Sequence, residues 1–128
     1  MIDRKNRYLK MDLISCKEAE TVWKAICRIL SSGLAARTIT FDNGSEFARF
    51  REIEKTLGAR VYFADTHSPW QRGSIENVNW LVRFFFPKGT DFRKVAPERV
   101  AFVDGLINDR PRKCLGWLSP REFLGCCA

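Results

Sequence analysis

Two carboxylates stand where acidic chemistry would be useful. Asp42 follows the short β-prone run "RTITF" at 37–41 and precedes Asn43 and Gly44. Asp-Asn-Gly after a strand is ordinary turn chemistry, because Asp and Asn side chains bond their own backbone and tolerate tight conformations. The alternative is a metal ligand placed at a strand's carboxyl end. Glu76 follows with 33 residues between the two, and a pair of hard carboxylate oxygens suits a divalent cation such as Mg²⁺.

The elements that must position these groups are readable from periodicity. Residues 7–15, "RYLKMDLIS", alternate Leu9, Met11 and Leu13 against Tyr8, Lys10, Asp12 and Ile14, the pattern of a strand with one buried face. Ser15 and Glu18 then stand in capping-box spacing before Ala19, Val22, Trp23, Ile26, Ile29 and Leu30, which recur at helical intervals and end near Gly33. The strand at 37–41 is followed by a helix from about Glu46 to Leu57, closed by Gly58, and by a third strand, "ARVYFA" at 59–64. Ser68, Pro69 and Gln71 read as the N-cap, first position and capping-box partner of a further helix. In it Ile75, Val78, Val82 and Phe85 form an apolar stripe with Leu81 beside it, leaving Glu76 on the arc shared with Arg72, Trp80 and Arg83. A helix over 97–108 and a last helical turn at 119–124 complete the chain. Alternating strands and helices predict an α/β domain with a partly parallel sheet, whose functional groups gather at the carboxyl ends of its strands.

Composition narrows the setting. The 128 residues suffice for one modest core; the hydrophobic fraction of 45% and charged fraction of 29% are those of a folded soluble protein. A net charge of +7 favours a polyanionic partner, with nucleic acid foremost, because basic groups that neutralise phosphates release counterions. "RPRK" at 110–113 is the densest basic cluster, and taken alone it reads equally as a solvated loop. Five cysteines without a zinc spacing read as reduced thiols, and the single His67 excludes a multi-histidine metal site. The charged start "MIDRKNRYLK" has no apolar signal core and no long apolar run occurs elsewhere, so a soluble cytoplasmic protein is expected.

The Asp42 and Glu76 spacing is set in "TITFDNGSEF" and "YFADTHSPWQRGSIENVN", and with "FFPKGTDF" and "NDRPRKCLGWLSPREF" it resembles the DDE transposases of the insertion-sequence-thirty family, relatives of the retroviral integrase core. The resemblance covers nearly the whole chain, and SPWQRG-x-x-EN is its most specific block. It implies a ribonuclease H-like fold in which three carboxylates hold two Mg²⁺ or Mn²⁺ ions, and an enzyme that cleaves a DNA strand and transfers the freed 3′ end to target DNA. Two ions about 4 Å apart would activate the attacking oxygen and stabilise the leaving one. Asp42 would be the second carboxylate and Glu76 the third, both catalytic and both metal ligands. Trp70, Gln71, Arg72 and Asn77 fall in the signature block, Trp70 being read as a packing residue; Trp80 stands where a small residue is expected. Arg72, Lys88, Arg110, Arg112 and Lys113 are taken as DNA contacts.

The resemblance also predicts a departure. "IDRKNRY" at 2–8 matches the motif that ends the family's second strand, so the first aspartate, carried in a WEGD-like stretch, has no counterpart; Asp3 matches the turn after that strand and Asp12 lies on the outer strand, both read as solvated aspartates, and neither Glu46 nor Asp65 has a motif claim. The expectation is residues 1–128 as the C-terminal part of the catalytic core: an incomplete fold lacking its first two strands, with one ion or none, inactive alone. An unpaired central strand would favour self-association or domain swapping. The alternative is a non-catalytic DNA-binding or protein-interaction remnant associating with a full-length transposase in the bacterial cytoplasm, at the nucleoid.

Overall fold

The computed structural model describes residues 1–68, 70 and 73–126. They fall into two compact units, Ile14–Arg72 and the pairing of Met1–Leu13 with Gly73–Ala128.

In the Ile14–Arg72 unit, helix α1 (Ala19–Ser31) is followed by strand β1 (Thr38–Phe41), a 3-10 turn at Ser45–Phe47, helix α2 (Phe50–Leu57) and strand β2 (Arg60–Phe63). The strands pair in parallel, Thr38 opposite Arg60 through Phe41 opposite Phe63, so α2 is the crossover of a βαβ unit. β1 alternates as its sequence demands: Ile39 and Phe41 are buried, Thr38 and Thr40 exposed. Val22 and Ile26 of α1, Ile53 of α2 and Ala59 close over the two buried strand residues to form one core. Gly58 ends α2 in the left-handed region at φ 64°, its N–H donating to Glu54 O at 2.9 Å. The Glu54 carboxylate in turn accepts the Val61 N–H at 2.8 Å, tying helix to strand.

In the other unit, α3 (Gly73–Phe85), α4 (Pro97–Asn108) and α5 (Pro120–Cys126) carry the regular structure. Leu9, Val78, Leu81, Phe86, Val100, Val103 and Ile107 form its core, with Met11 and Leu13 packed against it. Pro97 starts α4 at the first helical position, where its missing N–H costs nothing. α5 opens on a reciprocal capping box: Ser119 N–H donates to Glu122 Oε2 at 2.8 Å and Glu122 N–H to Ser119 Oγ at 3.2 Å.

Several expectations are corrected. Residues 7–15 bury Leu9 and leave Asp12 and Ile14 outside, as the alternation requires, yet form no strand; only an isolated bridge between Ile2 and Leu9 is present. A strand exists through its ladder, and here the Leu9 backbone is instead bonded by the side chain of Asn108. The Ser15 and Glu18 box does not form: α1 begins at Ala19, with Glu18 at its N-cap making no side-chain cap. The helix foreseen from Glu46 splits into a 3-10 turn and α2. Ile75 is 41% exposed, because packing against the core starts one turn later at Val78, and Trp70, 74% exposed, is no packing residue. The box of Ser68 with Gln71 falls partly outside the described residues.

Candidate functional site

Asp42 stands directly after β1, at its carboxyl end. Its position is fixed from behind: Phe41 is buried and stacks on Phe47 with ring centroids 4.2 Å apart, and Ala64 N–H donates to Phe41 O at 2.7 Å. The Asp42 carboxylate is exposed, and no described residue bonds to it. Asn43, expected only as part of a turn, positions this loop. Its Nδ2 donates to Ala64 O at 3.1 Å, fastening the loop after β1 to the end of β2. Gly44 is not used for a left-handed turn, since its φ is −77°. A Cβ there would run into the Glu46 carboxylate, which folds back over this glycine. Beside the loop lies a cleft of about 240 Å³ lined by Asn43, Gly44, Phe47, Ala48, Phe50 and Phe63.

Glu76 occupies the first turn of α3, exposed and off the buried face formed by Val78 and Leu81. Asn77, Trp80 and Arg83 share its solvent side, and Trp80 is 68% exposed. Glu76 and Asp42 therefore belong to different units. Among the described residues no group of three or more His, Cys, Asp or Glu side chains is placed to hold a metal ion.

Of the basic residues singled out, Lys88 is exposed in a turn closed by Thr90 N–H to Pro87 O at 3.1 Å. Arg110 and Lys113 are exposed, while Arg112 is half-buried, its Nη2 donating to Ile107 O at 3.5 Å. Arg72 and Gln71 lie outside the described residues. Asp3 serves its own turn, accepting from Lys5 N–H at 2.8 Å and Asn6 N–H at 3.4 Å. Cys16, Cys27, Cys114 and Cys126 are free thiols. No described helix is long and apolar enough to cross a membrane.

The fold matches that of an integrase catalytic core, a ribonuclease H-like fold. The crystal structure of the catalytic core domain of BIV integrase superposes with a TM-score of 0.76, at 16% identity, over 98% of this chain and 83% of that one. No family model matches the chain. The transposase of insertion element IS4351 from Bacteroides fragilis is 39% identical over 121 residues, covering 94% of this chain and 37% of that protein. Transposase InsI of element IS30A from Escherichia coli (strain K12) is 37% identical over 126 residues, covering 97% of this chain and 33% of that protein. The chain is a homologue of the IS30-family transposases over nearly its whole length, and it spans about a third of theirs.

Proposed function

We propose that residues 1–128 are the C-terminal part of a DDE transposase catalytic core, and that in the intact enzyme they serve metal-dependent cleavage and transfer of DNA strands. The observation that carries this reading is the near end-to-end homology to transposases, joined to a fold that puts a free carboxylate at the carboxyl end of β1. Asp42 and Glu76 are the proposed metal ligands. Both are hard oxygen donors exposed to solvent, a donor set that fits Mg²⁺ or Mn²⁺. Such ions, when bound, supply Lewis-acid stabilisation of the reacting phosphate. The proposed partner is DNA, contacted at its phosphates by Arg72, Lys88, Arg110, Arg112 and Lys113, with self-association or pairing with a full-length transposase in the cytoplasm, at the nucleoid.

The test is a Mn²⁺ titration followed by calorimetry, together with strand cleavage and transfer on DNA carrying element ends. Saturable Mn²⁺ binding that disappears in the Asp42→Asn, Glu76→Gln double variant is the expected result. Undiminished binding by that variant removes both residues from the site. Salt-dependent DNA binding by a chain whose Mn²⁺ response matches the variant's would leave a DNA-binding module without the metal centre.

A further inference from the structure

Arg7 has a left-handed backbone, φ 59°, a conformation that L side chains other than Asn and Asp adopt at a steric cost. The turn around it is fastened on both sides. Asp3 N–H donates to Tyr8 O at 2.8 Å, the Asp3 carboxylate accepts from Lys5 and Asn6, and Asn6 Oδ1 accepts from Tyr8 N–H at 2.9 Å. These bonds hold Arg7 in place, and its Nη1 donates to Ser74 Oγ in the first turn of α3, two residues before Glu76.

A second guanidinium, that of Arg112, lies within electrostatic reach of Arg7. Arg112 has its Nε buried, with no partner among the described residues. Burial lowers its pKa first, the charge of Arg110 lowers it further, the Cys114 sulfur opposes, and Arg7 adds a last repulsion. Among the described residues no carboxylate acts on Arg112, and none forms an ion pair with Arg7, Arg110 or Arg112. Cations gathered at a strained turn without a counter-charge are balanced most economically by one anion taking donors from both guanidiniums.

We propose that Arg7, Arg112 and Ser74 form a seat for a single backbone phosphate of DNA, on the helical turn that carries Glu76, with Arg110 adding charge at its rim. This rests on the DNA reading above only for the identity of the phosphate. Arg7 is the residue sequence reasoning missed, since nothing local in "DRKNRY" announces a left-handed arginine.

Fluorescence anisotropy of a labelled short duplex, titrated against salt, tests the seat. Arg7→Gly suits the left-handed backbone, so its thermal midpoint should equal or exceed the parent's. Its DNA affinity should nevertheless fall roughly tenfold, with a salt slope shallower by about one. Arg112→Gln should act alike, and the double variant should lose less than the product of the single losses, because both arginines hold one phosphate. In a parallel arm, inorganic phosphate should raise the thermal midpoint of the parent relative to chloride at equal ionic strength, and not that of Arg7→Gly. Duplex binding whose affinity and slope survive both substitutions overturns the seat and leaves the DNA reading intact. A response to inorganic phosphate without duplex binding assigns the seat to a free phosphate and overturns both nucleic-acid proposals. No response in either arm overturns the seat outright.

Discussion

The side chain of Asn108 takes both backbone polar groups of Leu9: its Oδ1 accepts the Leu9 N–H at 2.7 Å and its Nδ2 donates to the Leu9 carbonyl at 2.8 Å. An amide side chain thus does for one residue what a neighbouring strand does for a whole segment. Asn108 is 1% exposed and Leu9 4%, so water does not replace these bonds. Asn108→Ala should therefore destabilise by about 2–4 kcal/mol, through two buried groups left without partners and the small cavity added. Urea denaturation with an unchanged m-value would record it; a loss under about 0.5 kcal/mol would mean that the pair is solvated.

Asn108 Nδ2 also donates to Asp104 at 3.2 Å, and Asp104 meets Lys10 Nζ at 3.6 Å. Burial raises the Asp104 pKa above the ordinary aspartate value, against the opposing pull of Lys10, the N-terminal amine and Asn108. The folded state then binds this proton more tightly than the unfolded chain, so the Asp104 contribution to stability falls as pH rises from the ordinary value through the raised one. Glu20, Asp91 and Glu122 have lowered pKa values and act in the opposite sense, and a difference measurement cancels them. Asp104→Asn should gain stability relative to the parent as pH is raised from the acid range to about 7. A difference independent of pH would contradict the assignment.

Two copies of the S-x-x-E pattern give opposite outcomes, and substitution should separate them. Ser119→Ala removes a cap that is formed and should cost about 1 kcal/mol. Ser15→Ala, four residues before α1 begins, should lie within about 0.5 kcal/mol of the parent. Equal effects at the two sites would show that the cap contributes nothing at α5.

Ile53 is 1% exposed in the Ile14–Arg72 core, in one cluster with Val22 and Ile26 of α1 and Ile39 and Phe41 of β1. Ile53→Ala should cost about 2–5 kcal/mol in urea unfolding. A cost below about 1 kcal/mol would show that the space collapses around the smaller residue.

Local chemistry accounts for what the sequence discloses. β1, β2 and α4 carry short-range signals: β-branched alternation, Gly58 as a stop and Pro97 as a start. Asp42's strand-end placement follows from the same punctuation. The segment around Leu9 discloses which residues are buried but not what bonds its backbone, since that partner is Asn108, distant in sequence. Ser15 and Ser119 look alike as tetrapeptides, and only Ser119, buried and followed by Pro120, is held where the cap closes. The exposure of Ile75 and the left-handed Arg7 likewise depend on contacts that no local pattern encodes.

The tryptophans divide unevenly between surface and interior. Trp70, Trp80 and Trp117 are each more than two-thirds exposed, whereas Trp23 is half-buried beneath the Arg49 guanidinium, 4.9 Å above its ring. Native emission should therefore be dominated by indoles already in water and should shift little on denaturation. Surface indoles next to a bound polyanion are quenched or shifted while the fold is unchanged, so intrinsic fluorescence in this molecule is a better reporter of ligation than of unfolding.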